Sequence, residues 1–205
     1  MDINIYSIEF IALASIFYLV GSIPFGYLLT KLFGLGDIRK IGSGNIGTTN
    51  VLRTGNKTLA FIVLVLDVLK GYLPLIIIKE FYIIINYEFF LIYLLTSFTI
   101  IGHIYPIWLK FKGGKGVATY IGYIFAINYV LGTIFIFSWL IIALLTKYSS
   151  LASIISLLIL SLSIYFMQFN FGIMILLFLI NIIIIFKHYS NILRLLKNIE
   201  TKIKF

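Results

Sequence analysis

The sequence predicts an all-α integral membrane protein: a bundle of seven transmembrane helices, with the N-terminus outside and the C-terminus in the cytoplasm. Three observations predict it. Of 205 residues, 61% are hydrophobic and 11% charged, with a mean hydropathy of +1.12. Soluble domains run at roughly 45–50% apolar and about 25% charged, and a soluble chain of this length still needs a polar skin. The apolar residues also come in long runs, such as 151–167 and 173–186, approaching the roughly 20 residues that cross a hydrocarbon core. Finally, lysine and arginine fall almost wholly on one side once these runs are threaded alternately through a bilayer.

Spans are expected at about 6–30, 58–78, 84–105, 116–130, 132–146, 151–167 and 170–187. The first follows Met1-Asp2-Ile3-Asn4, with no cation ahead of it. A secretory signal normally opens with positive charge, so this segment is expected to be retained. Stretch 116–146 is broken only by Asn128 and Gly132, too long for one helix and short for two, and 151–187 is interrupted at Gln168-Phe169-Asn170. Charge resolves both. Loop 31–57 has five cations (Lys31, Arg39, Lys40, Arg53, Lys57), loop 106–115 has three (Lys110, Lys112, Lys115), loop 147–150 has Lys147, and the tail from 187 has five. Fourteen of the sixteen therefore share one face; Lys79 lies opposite and Lys70 falls inside a span. Merging 116–146 into one span would put Lys147 and the basic tail outside, against the positive-inside rule.

The same composition excludes several functions. There is no cysteine, hence no disulfide, cysteine metal site or thiol chemistry. The net charge of +9 reads as topological charge facing the cytoplasm and its anionic lipids. No soluble domain is left to bind nucleic acid. No internal repeat or linker interrupts the chain, so residues 1–205 read as a single domain. The seven carboxylates and two histidines show no metal-ligand spacing, so no metal is expected.

Two polar loops share the cytoplasmic face with the tail. The first contains Gly42-Ser43-Gly44-Asn45-Ile46-Gly47-Thr48-Thr49-Asn50, then Arg53. Glycines at 42, 44 and 47 let backbone N–H groups approach an anion, hydroxyls and amides add donors, and Arg53 adds a forked cation suited to phosphate. The same residues also suit a plain polar connector. The second loop contains Gly102-His103, then Phe111-Lys112-Gly113-Gly114-Lys115-Gly116. Two lysines around a glycine pair suit an anion, or simply lipid headgroups. It is not a Walker A loop, because Leu109 and Gly116 stand where that pattern needs Gly and Ser or Thr.

In the tail, His188 and Asn191 share one helix face at i, i+3. Asp67 and Lys70, also three apart, read as a structural ion pair within the second span. Neither histidine is followed by Asp at the fifth position, so the His-x4-Asp acyltransferase signature is absent. What remains is cations, amides and hydroxyls, a set that grips anions and offers few strong bases.

In this order the segments resemble the PlsY family of bacterial acyl-phosphate:glycerol-3-phosphate acyltransferases. The resemblance runs from Gly21-Ser22-Ile23-Pro24-Phe25-Gly26 through the first loop, Asp67-x-x-Lys70-Gly71, the Gly102-to-Thr119 segment and Glu200-Thr201-Lys202. It implies seven spans, and transfer of a fatty acyl group from acyl phosphate to the 1-hydroxyl of glycerol 3-phosphate, giving lysophosphatidate and inorganic phosphate. Such a reaction would be the first acylation of phospholipid synthesis, at a multi-pass plasma-membrane site facing the cytoplasm. It implies site residues at Ser43, Asn45, Asn50, Arg53, His103, Lys112, Lys115, Ser150, His188 and Asn191, joined by glycines 42, 44, 47, 113 and 114 of the loops. Ser43, Arg53, Lys112, His188 and Asn191 are expected to be catalytic and the others to bind phosphate. Partners are the two substrates and the bilayer, with no cofactor and no obligate protein partner. Thr48, Tyr189 and Asn198 stand where the family usually has Ala, Arg and Gly. The base is either a donor phosphate oxygen or His188. An organic-phosphate transporter is the alternative, which would place cations near the midplane on broken helices, often in inverted repeats.

Overall fold

The structure, a computed structural model, describes residues 8–80 and 88–203. The start of the expected third span (84–87), residues 6–7 of the first, and Lys204 lie outside them. Among the described residues there is no strand, and the chain divides into two compact units, Met1–Ile127 and Asn128–Phe205.

The first unit contains α1 (Ile8–Ser22), α2 (Phe25–Leu32), a 3-10 turn (Ile38–Lys40), α3 (Thr48–Leu52), α4 (Lys57–Glu80), α5 (Phe89–Ile104), a second 3-10 turn (Ile107–Leu109) and α6 (Val117–Ile127). The expected first span is broken. Pro24 has no N–H to donate and disfavours helix at Ile23, and α2 restarts at 41° to α1. Helices pair through glycine. A Cβ at Gly21 would collide with the Thr99 backbone, and one at Gly102 with Tyr18 O, which seals α1 to α5. Gly71 against Thr119 O and Gly122 against Val68 O do the same for α4 and α6. In hydrocarbon, where apolar side chains gain little by leaving lipid, such close backbone packing is a main source of helix association.

The second unit contains α7 (Tyr129–Thr146), α8 (Ser149–Phe166), α9 (Phe171–Phe186) and α10 (Tyr189–Leu196). The break before α7 falls at Asn128, not near 131, because its side chain caps the helix, accepting from Val130 N at 2.9 Å and Leu131 N at 3.2 Å. Trp139 Nε1 donates to Ser153 Oγ at 3.1 Å, and Asn181 Nδ2 to Ser161 Oγ at 2.8 Å, which ties neighbouring helices together.

Among the described residues, four helices have the length and hydropathy for a crossing: α4, α5 extended to Leu109, α7 and α8. The bent pairs α1–α2 and α9–α10 raise the number to six, while α6 is apolar but has 11 residues, about 16 Å of rise. Large apolar side chains face outward on these helices, for example Phe61, Phe137, Leu144 and Phe186. Such surfaces suit hydrocarbon and not water.

Candidate functional site

The first loop is built around one side chain. Asn50 is 2% exposed, and its Nδ2 donates to the carbonyls of Ile38, Ile41 and Asn45 at 3.0, 2.9 and 2.8 Å. Its Oδ1 accepts from Ser43 N at 3.0 Å and lies 3.5 Å from Arg53 Nη1. Asn50 thus holds the loop from inside, with its polar atoms engaged by the chain itself. Gly42 has φ +52°, and a Cβ there would collide with Asn50 Oδ1 and approach the Arg53 guanidinium, so glycine brings Arg53 beside Ser43. Ser43 and Gly44 face outward, with Asn45 and Gly47 half-buried. Apolar Ile38, Ile46, Val51 and Leu59 pack beneath the loop. Helix α3 has five residues and contributes little dipole of its own.

In the second loop the glycine amides are occupied. Gly113 N donates to Ile104 O at 3.1 Å and Gly114 N to His103 O at 3.0 Å. A Cβ at Gly113 would strike His103 O and Pro106, and one at Gly114 would strike His103 Nε2. These glycines therefore make room for the turn and its histidine, a different task from the anion cradle the spacing suggested. His103 is buried at 5% exposure, and its Nδ1 lies 3.6 Å from Asp67 Oδ1. Asp67 in turn pairs with Lys70 at 2.8 Å, as the i, i+3 spacing predicted.

Lys112 is exposed and lines a cavity of about 810 Å³ with Arg39, Lys110, Tyr27, Leu28 and Trp108. Arg39 is fixed by Asp37 at 2.6 Å and stacks 4.7 Å from the Tyr27 ring centroid. The Arg39 side-chain hydrogen bonds hold the Asp37 carboxyl down at about 2. Lys115 is half-buried at the start of the turn into α6.

In the second unit Glu200 is the centre. Its Oε1 accepts from Asn191 Nδ2 at 2.8 Å and Ser150 Oγ at 3.1 Å, and its Oε2 from Arg194 Nε at 2.7 Å. Burial alone would raise its carboxyl pKa, but these donors and the Arg194 charge outweigh it and hold the group below the ordinary carboxylate value. His188 is 2% exposed, and its Nδ1 lies 2.8 Å from Ile184 O. A carbonyl oxygen can only accept, so the ring donates to it through Nδ1–H. His188 stands at the N-cap position of α10 without a side-chain capping bond, and Asn191 sits on the first turn.

A family profile described as glycerol-3-phosphate acyltransferase matches residues 11–198. The chain belongs to that family. A glycerol-3-phosphate acyltransferase of Pelagibacter ubique is 48% identical over 198 residues, 96% of this chain and 98% of the relative. One from Bartonella henselae is 47% identical, over 91% of this chain and 88% of its own. A crystal structure of PlsY, an integral membrane glycerol 3-phosphate acyltransferase in its glycerol 3-phosphate form, superposes with a TM-score of 0.87 at 36% identity, covering 96% of both chains. A lysophosphatidic acid form of the same protein gives 0.84 at 35% identity, covering 95% of both.

Against the family pattern, one departure explains itself. Asn198 adopts φ +56° just past α10, with Asn198 N bonded to Leu195 O and Ile199 N to Arg194 O. This left-handed stop favours glycine, and asparagine is a common substitute. Nothing in the structure explains Tyr189. Sequence reasoning missed Glu200, Arg39 and Asp37 as organisers. The available signal was scarcity, since Asp37 and Glu200 are two of only seven carboxylates.

Proposed function

We propose that the chain transfers a fatty acyl group from acyl phosphate to the 1-hydroxyl of sn-glycerol 3-phosphate, releasing lysophosphatidate and inorganic phosphate. The observation that carries this reading is the first loop: within a chain of this family, Asn50 draws Ser43 and Arg53 together across Gly42. Arg53, Lys112 and Lys115 hold phosphate, Arg53 as a fork and the lysines as point charges. Ser43 and the loop around Gly42, Gly44, Asn45 and Gly47 orient the donor. Asn50, Gly113, Gly114 and His103 act through the loops they shape. His188, Asn191 and Ser150 serve the acceptor, with the Asn191 and Ser150 side chains aligned by Glu200.

The acceptor hydroxyl oxygen bonds to the acyl carbon as the acyl carbon–phosphate oxygen bond breaks. The hydroxyl proton passes to a donor phosphate oxygen and leaves with inorganic phosphate. Positioning is the main contribution, with charge stabilisation second. The carboxylates beside the loops and tail, Asp37, Asp67 and Glu200, are committed to ion pairs and are not assigned the base role. No cofactor or obligate protein partner enters this reaction.

The proposal extends to the membrane. The four long helices, the two bent pairs and α6 would give seven crossings, supported by fourteen of sixteen cations falling on one face. The N-terminus would lie outside and the loops and tail in the cytoplasm of a bacterial plasma membrane, with 1–205 acting as one domain. Purified protein supplied with palmitoyl phosphate and glycerol 3-phosphate should release phosphate and form lysophosphatidate. Absence of both products beside an active control would reject the reading. His188→Ala is expected to lower kcat at least tenfold; abolished turnover with both substrates still bound would transfer the base role to His188.

A further inference from the structure

Asp67 and Lys70 are 2% and 5% exposed, and the reaction proposed above does not use them. If packing alone were required, apolar residues of similar volume would serve as well or better, since a buried ion pair seldom adds net stability. Their contacts run outward to both loops. Asp67 Oδ1 sits 2.8 Å from Lys70 Nζ and 3.6 Å from His103 Nδ1. The opposite edge of the His103 ring, Nε2, abuts Gly114, whose N–H bonds to His103 O at 3.0 Å. The carboxylate faces one edge of the ring at a distance just beyond a hydrogen bond and the glycine closes the other, so the ring is confined between them and the Lys112–Lys115 turn is laid on it.

Lys70 reaches the other way. Its Nζ donates to Ile23 O at 2.9 Å, satisfying a carbonyl at the α1–α2 break, and lies 5.4 Å from the Phe25 ring centroid. Helix α2 then meets the first loop directly, because a Cβ at Gly26 would collide with Ile46 O. From one buried pair, a path of contacts leads to the loop bearing Lys112 and Lys115, and another to the loop bearing Ser43 and Arg53.

We infer that Asp67 and Lys70 are positioning residues for phosphate binding: Asp67 sets the His103 ring that shapes the second loop, and Lys70 fixes the helix break that seats the first. The inference rests on the reading that these loops hold phosphate. The charge-free double variant Asp67→Leu/Lys70→Met removes the network without leaving a lone buried charge. Folded and monodisperse in detergent, it should show KM for at least one phosphorylated substrate raised tenfold or more, with kcat within about threefold. Equal kinetics in variant and wild type would overturn the inference.

Two further readouts do not need turnover. With only two histidines in the chain, ¹⁵N NMR resolves the His103 ring once His188→Asn assigns the other. Wild type should hold the Nδ1–H tautomer and the double variant should lose it, while the Kd for inorganic phosphate rises at least fivefold. An unchanged tautomer together with unchanged phosphate affinity overturns the inference even if the enzyme proves to catalyse another reaction. Should the double variant not fold, Asp67→Asn alone, which keeps the shape, is read in the same way. Failure of both to fold makes the pair purely structural and also overturns the inference.

Discussion

The first loop and the tail solve one problem with opposite chemistry. Each gathers polar segments around a single buried side chain, but Asn50 is a neutral amide and Glu200 a carboxylate. Asn50 mostly donates, to three backbone carbonyls. Glu200 only accepts, from Asn191, Ser150 and Arg194 side chains. A hub facing carbonyls must bring N–H groups, and a hub facing amides, hydroxyls and guanidinium must bring oxygens. The loop therefore tolerates changes of pH, whereas the tail depends on an ionised group.

The strongest way to break this contrast is Asn50→Asp, which keeps the shape and turns the donor edge into an acceptor against three carbonyls. An uncompensated buried charge costs about 3–5 kcal/mol. Arg53 offsets part of it, and activity should still fall more than a hundredfold, read by steady-state turnover of detergent-purified protein. Retained activity would show that Asn50 does not hold the loop. Next is Glu200→Gln, expected to cost about 1–3 kcal/mol because one amide cannot accept from all three partners. Its effect should be confined to the tail, seen as faster hydrogen exchange over residues 189–203.

The same measurement against pH sharpens the comparison. The folded Glu200 pKa is depressed, so its contribution is complete above the unfolded value, about 4.3. It is lost as pH falls through the lower folded value. Tail protection factors, taken relative to the intrinsic exchange rate at each pH, should fall on acidification in wild type and stay flat in Glu200→Gln, with the first loop unaffected in both. Smallest is Asn198→Ala, which places a Cβ without local hydrogen bonding at φ +56° and should cost about 1 kcal/mol. A thermal midpoint that does not fall would argue against the left-handed stop.

Much of this was legible in the sequence because it depends on local pattern. The apolar runs became helices, the Asp67–Lys70 pair formed at its helical spacing, and His188 and Asn191 share one turn. What was not legible depends on partners remote in sequence. Ser150 and Glu200 are 50 residues apart, and Asp67 and His103 meet from two different helices. Nothing in a glycine pair tells whether its amides face an anion or, as here, the carbonyls of His103 and Ile104. Pro24 was visible, yet its breaking of the first span was not foreseen, because proline is tolerated elsewhere, as Pro74 inside α4 shows.

The glycine contacts at 21, 71, 102 and 122 also govern traffic. Where two backbones meet with only hydrogens between them, the seam is shut to a hydrocarbon tail over that stretch. A lipid-borne reactant cannot slip between α1 and α5 or between α4 and α6 there.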